Sequence, residues 1–293
     1  MTVRAGLRGR LSGRFLAVAV AAAALVALCV TAQLVPSTSA GFSAKVTNSN
    51  QAGTARDFTC TDSIVSDKAS ALFAYPLNET TVLSSAVTDT SGNARNGTLY
   101  GMRTTTADKP CPRDAGVAAK FDGMTNWIST PYKFAAAPNV FSLEAWIKTT
   151  VKGGKIIGFG TSQTVISSQY DRHIYINTAG QLVFGVYNNG NQVIASSANV
   201  ADGAWHHVVA TLSPAGMVLY VDGAQVASNG AITSGETTAG WWHVGYDNLS
   251  GWPNVAANYF FTGSMRYVAV YTAALTAAQV KAHYISGITP ANS

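Results

Sequence analysis

The chain has 293 residues and a formal charge of +5, and charged side chains make up only 11% of it. Arg4, Arg8, Arg10 and Arg14 carry four of those charges before any acid occurs, so the rest of the chain stands near +1. No stripe of Lys and Arg is left to track phosphates, which excludes nucleic acid as an expected partner, while the length is ample for a sizeable core.

The basic start leads into an unbroken apolar run from Phe15 to Val30. That run is short for a membrane span and suits the core of a signal peptide, which we expect over residues 1–40. Thr38 and Ala40 offer one cleavage site, and a second lies after Ala32. Leu28 precedes Cys29 where a lipid-anchor signal wants a small residue. The expectation is an exported protein, secreted or held at the cell surface, with no membrane insertion after cleavage.

Residues 41–68 are small and polar and predict an extended N-terminal arm. Beyond the leader only Cys60 and Cys111 remain, and an even pair in an exported chain predicts a disulfide. From Ala69 onward, short runs rich in Val, Ile, Phe, Tyr and Thr alternate with Gly, Asn, Asp and Pro clusters, the pattern of a sandwich or barrel. Among the thirteen predicted strands are Phe141–Thr149, Lys155–Phe159, His173–Asn177, Leu182–Tyr187, Trp205–Leu212, Trp241–Tyr246 and Ser264–Tyr271. Asp222–Gly223, between Val218–Val221 and Ala224–Ala227, is a strong hairpin signal. One helix is predicted, capped by Thr276, and residues 287–293 form a tail. A single domain is expected over residues 69–286.

The pair His206–His207 invites a metal-site reading. Successive strand side chains point to opposite faces, so the two cannot reach one ion, and we expect one outside and one inside. Catalysis is also poorly supplied. Outside the leader the glutamates are Glu79, Glu144 and Glu236. None has a carboxylate two or four residues away, although a retaining glycosidase needs two about 5 Å apart. No G-x-S-x-G or H-E-x-x-H sequence occurs.

The blocks "FSLEAWIKTT", "GAWHHVVATL", "MVLYVDGAQVAS" and "GSMRYVAVYTAALTAAQV" resemble, in order, those of the LamG-like jellyroll family. That family belongs to the concanavalin A-like lectin/glucanase superfamily. The resemblance extends over residues 69 to 285 and implies an all-β fold, a two-sheet antiparallel jellyroll sandwich with one short C-terminal helix. It also implies calcium as a possible auxiliary ion. The oxygen-rich turn from Asp89 to Asn93, with Asp122, is the only candidate set, although turn chemistry produces the same letters. No other cofactor is expected.

Two aromatic-polar stretches are the candidate ligand site. In "YDRHIYIN", His173 and Tyr175 share one face and Ile174 and Ile176 the other; in "WWHVGYDNLSGWPN", Trp241 and His243 oppose Trp242 and Val244. With the aliphatic sets facing the core, Asp171, Arg172, His173, Tyr175, His243, Asp247, Asn248 and Trp252 are expected to converge on one open rim. An exposed indole among planar donors and acceptors suits a pyranose. On this reading Trp252→Ala abolishes binding and leaves thermal stability within a few degrees. The same letters also suit tryptophans that close the sandwich and an Asp–Arg pair that braces a loop. The expected function is a secreted, non-catalytic recognition module for a glycan or cell-envelope polymer; the alternatives are a surface protein that binds another protein and, less favoured, a glycanase.

Overall fold

The computed structural model describes residues 59–290; the signal peptide, its cleavage sites and the arm up to residue 58 lie outside them. Sixteen strands form two eight-stranded antiparallel sheets. In the first, β14 (Ala224–Asn229), β13 (Gly216–Val221), β12 (Trp205–Ser213), β7 (Phe141–Lys148), β16 (Thr262–Tyr271), β5 (Ala118–Asp122) and β4 (Thr104–Thr106) lie side by side, and β1 (Ala71–Tyr75) also pairs with β16. The second runs β11 (Asn191–Asn199), β10 (Gln181–Tyr187), β9 (Tyr170–Ile176), β8 (Lys155–Gly160), β15 (Trp241–Val244), β6 (Trp127–Ser129), β3 (Gly97–Tyr100) and β2 (Ala86–Val87).

Alternation builds the core between the sheets. Phe141, Leu143, Ala145 and Ile147 of β7 pack in one cluster with Ile174 and Ile176 of β9, Leu182 and Phe184 of β10, and Trp242 and Val244 of β15. Each large side chain so buried contributes roughly 1.5–3 kcal/mol. A one-residue slip in any of these strands would turn its apolar set outward, so the register is strongly specified. At Asp222–Gly223 both residues have positive φ, 52° and 73°, and the flanking Val221 and Ala224 pair. That is the geometry a tight hairpin of primed type demands. The predicted strands hold to within a few residues; the very short β2, β3 and β4 had no apolar run to announce them.

The outer face of the first sheet is covered by two helices, α1 (Cys60–Ser66) and α2 (Ala277–Ile288). Thr276 and Gln279 close a capping box at the start of α2, as its sequence signals. Gly287 lets this helix lie directly on Trp146, for a Cβ there would come within 1.9 Å of the indole. The existence of α1 corrects the expectation of an extended arm through residue 68. Thr59 and Asp62 form a second capping box, and Cys60, Ser63 and Ile64 bury one side of the turn.

Cys60 and Cys111 are bonded, with Cα atoms 5.8 Å apart, well inside disulfide geometry. The bond ties α1 to the loop before β5. Thiol titration of the purified exported protein in denaturant without reductant should find no thiol from this pair; two free thiols would contradict the bond.

The two neighbouring histidines part as alternation requires. His206 is at the surface, between Asp222 (2.8 Å) and Asp202 (3.1 Å). His207 is fully buried, its Nε2 2.7 Å from Glu144.

Candidate functional site

The outer face of the second sheet carries the predicted rim. Alternation holds: Ile174 and Ile176 enter the core, while His173 and Tyr175 point the other way. That face is not open, which corrects the sequence reading. The segment from Asp247 to Asn254 folds back over it, so His173 and Tyr175 are fully buried and Trp252 is 5% exposed. The Trp252 ring meets His173 edge to face at 4.1 Å between centroids. It lies so close to β10 that a Cβ at Gly185 would come within 2.5 Å of it.

A set of directed bonds holds this segment down. Tyr175 donates its hydroxyl to the carbonyl of Pro253 and Tyr170 to that of Ser250, each at 2.8 Å. Asn191 donates its amide to the carbonyl of Gly251 at 2.7 Å. Asp247 accepts from the backbone of Ser167 and of Asn248, each at 2.8 Å, and Asn248 donates to the Ser167 carbonyl. His243, beside the Trp127 ring, lies 3.1 Å from the second Asp247 oxygen.

Asp171 and Arg172 sit next to this cluster in a fully used ion pair. Arg172 grips both Asp171 oxygens and also donates to Pro138, Asn139 and the Glu236 carbonyl, bracing two loops against β9. Burial pushes the Asp171 carboxyl up to about 6, against the pull of Arg172. The sequence-predicted residues therefore do converge, but as a fastening for the loop and not as an exposed surface. Of the eight only Asn248 is more than marginally accessible.

Beneath the Tyr170 ring lies a group that sequence reasoning missed. Lys155, at the head of β8, is fully buried, and its ammonium has no hydrogen-bond partner among the described residues. Burial lowers it to about 8, offset in part by Asp247 and Asp171. The same charge helps Asp247: burial opposes its ionisation, but Lys155, His243 and the Ser167 N–H hold the carboxyl at about 2. Burial, with Lys155 second, drives His173 well below its ordinary range, so it is neutral at physiological pH.

The accessible feature is a cleft of about 430 Å³ at the edge of this roof, within the usual range for small-molecule sites. Tyr170, Tyr187 and the edge of Trp252 line it beside Gln169, Asn191 and Glu236. Tyr187 is 39% exposed and is the ring most available to a ligand. Of its lining residues only Trp252 belongs to the predicted set; strands β9, β10 and β11 and three loops contribute the rest. Glu236 is the only acid on its wall. Glu79 is paired with Arg103, and Glu144 lies sealed under the helices of the other sheet.

The calcium candidates do not fit a cation. Asp89 accepts from the backbone of Ala74, Ser91 and Arg95 and from the Ser91 hydroxyl. Asp122 accepts from the backbone of Met124, Thr125 and Asn126. These are turn-closing carboxylates whose oxygens face N–H donors, the opposite of a cation cage. Among the described residues no three His, Cys, Asp or Glu side chains gather as metal ligands.

The Laminin_G_3 family model, described as the concanavalin A-like lectin/glucanases superfamily, matches residues 122–281, more than half of the chain. A search of curated protein sequences finds no match. Among solved structures, the chain is similar to the binding domain of Paraclostridial Mosquitocidal Protein 1, with a TM-score of 0.54 and 15% identity over 75% of this chain and 52% of that one. It is similar also to a botulinum neurotoxin type C structure concerned with cell entry through two ganglioside molecules, at 0.54 and 14% over 77% and 53%. Trypanosoma rangeli sialidase in complex with sialic acid matches at 0.51 and 14% over 74% and 33%. The chain thus spans about half the length of the two toxin chains, and at such identities the likeness is one of fold.

Proposed function

Because the chain belongs to the Laminin_G_3 family of the concanavalin A-like lectin/glucanases superfamily, we propose that it is an exported, non-catalytic recognition module that binds a saccharide in the cleft beside Trp252. The carrying observation is the cleft itself, which sets Tyr170 and Tyr187 among the side chains of Gln169, Asn191 and Glu236. Flat apolar rings beside planar amide and carboxylate groups suit the two kinds of surface a sugar ring presents. In this reading His173, Tyr175, His243, Asp247, Asn248 and Trp252 position the loop, Asp171 and Arg172 brace its neighbours, and ligand contact falls to the cleft wall.

A non-catalytic role is supported by the single acid on that wall, since glycoside hydrolysis ordinarily takes two carboxylates flanking the bond. Export is supported by the disulfide, a bond that persists in oxidising compartments. No described helix is long and apolar enough to cross a membrane.

The test is a glycan array followed by calorimetric titration of the hits. Tyr187→Ala should weaken binding about tenfold, a loss of about 1.4 kcal/mol, with little change in melting temperature for so exposed a ring. No binding to any sugar at millimolar concentration, or full affinity in Tyr187→Ala, would defeat the proposal. Release of reducing ends on overnight incubation with mixed polysaccharides would instead establish an enzyme.

A further inference from the structure

The charges around the cleft carry the reading one step further, and the step rests on the saccharide proposal above. Five ionised groups lie on or directly under its wall: Lys155 and Arg172 are positive, Asp171, Asp247 and Glu236 negative. Four of them are at most 1% exposed and are balanced two against two. Arg172 spends its guanidinium on Asp171, Pro138, Asn139 and the Glu236 carbonyl. Lys155 is shut beneath the Tyr170 ring, 5.5 Å from its centroid.

The unbalanced charge is Glu236, and it is the one a ligand can reach. Its carboxylate makes no ion pair or hydrogen bond among the described residues, and no basic side chain lines the cleft. Tyr170 and Tyr187 stand on the same wall, and aromatic faces attract cations as a carboxylate does. A carboxylate-bearing sugar brought here would meet a like charge with no cation to answer it.

We infer that the cleft selects against acidic sugars and binds amine-bearing saccharides best, with Glu236 the residue that sets this preference. Sialic and uronic acids are excluded by the same charge. An exposed ion pair and a cation–aromatic contact together make an amine about tenfold tighter than the matching acetamido sugar.

The experiment uses the full exported chain and matched oligosaccharides on glucose, galactose and mannose backbones, each as the free amine, the N-acetyl form and the uronate, with sialylated forms added. The expected order is amine, then acetamido, then acid. Glu236→Gln should cut the amine preference severalfold, to what the cation–aromatic contact alone supplies, with the amine series losing more affinity than the acetamido series. Raising NaCl from 0.1 to 1 M should shrink the preference in the wild type, because the screening length falls from about 10 to about 3 Å. Tighter binding of a uronate or sialylated member, equal binding of amine and acetamido forms, or a preference undiminished in Glu236→Gln would overturn the inference and leave saccharide recognition standing. Failure of every member of every series to bind would remove the recognition reading and this one with it.

Discussion

Glu144→Ala is expected to lower the melting temperature by about 10 °C. The carboxylate sits in the middle of β7, 2% exposed, under α1 and α2. It accepts from His207 Nε2 at 2.7 Å, from the Tyr271 hydroxyl at 2.7 Å and from His283 Nδ1 at 2.9 Å. The far nitrogen of His283 reaches Asp67 at 2.9 Å, so one imidazole on α2 is clamped between two acids. Removing Glu144 strands three buried polar partners at once, one of them, His283, a cation. Loss of one member of such a group costs about 3–5 kcal/mol, and in a domain of this size each kcal/mol moves the midpoint by about 2–4 °C. Glu144→Gln keeps the shape and two hydrogen bonds but not the charge, and should fall between the two.

The pH dependence gives this prediction a second readout. Burial opposes ionisation of Glu144, yet His283 and His207 hold it well below the carboxylate range. Burial likewise opposes charge on His283, but Glu144 and Asp67 outweigh it and raise the imidazole to about 10. A raised histidine contributes stability that is complete below its unfolded value of about 6.5 and is lost as pH climbs toward 10. The lowered Glu144 contributes stability that is complete above about 4.3 and is lost on acidification. The cluster is therefore worth most between about pH 4.5 and 6.5. In Glu144→Ala the alkaline decline should flatten, since only Asp67 still holds His283. Melting curves at pH 5.5, 7.5 and 9 test this; a parallel decline in the variant, or a midpoint unchanged within 2 °C, would show that Glu144 does not hold the helices.

The fold was legible because its signals are local. The two-residue period in β7 and β9 placed the core residues, Asp222–Gly223 placed a hairpin, and Thr276 placed the start of α2. The other helix was legible in principle through Thr59 and Asp62, three apart, but its polar letters hid the pattern. At the site, alternation put His173 and Tyr175 on the correct face. Whether that face meets water depends on the chain from Asp247 to Asn254 returning over it, a contact across some 80 residues that no spacing encodes. The cleft wall is harder still: Gln169, Tyr187, Asn191 and Glu236 come from separate strands and loops, and only the register of β9, β10 and β11 joins them. Lys155 gave no signal, for a lysine at the head of a strand is ordinarily solvated.

Trp252→Ala tests that returning segment and should cost about 3 kcal/mol, near 8 °C in melting temperature, in place of the few degrees expected of a surface ring. The indole packs with Tyr175, Val183 and Leu249 in a cluster of its own on the outer sheet face. Truncating a buried tryptophan ordinarily costs about 3–5 kcal/mol. The lower end applies here because His173, whose ring the indole covers, has no hydrogen-bond partner on either nitrogen among the described residues, and water entering the gap would satisfy it. The same entry changes an acid response. A histidine held below its ordinary range, as His173 is by burial, costs stability as pH falls under about 6.5, where only the unfolded chain takes up the proton. With Trp252 gone the ring is hydrated and that cost should shrink, so the gap between wild type and variant narrows from pH 7.5 to pH 5. Hydrogen exchange should accelerate across residues 247–254 and stay slow in the inner strands. A midpoint within 2 °C of the wild type, or a gap that widens with acid, would place the Trp252 ring outside the packed face and return it to the surface.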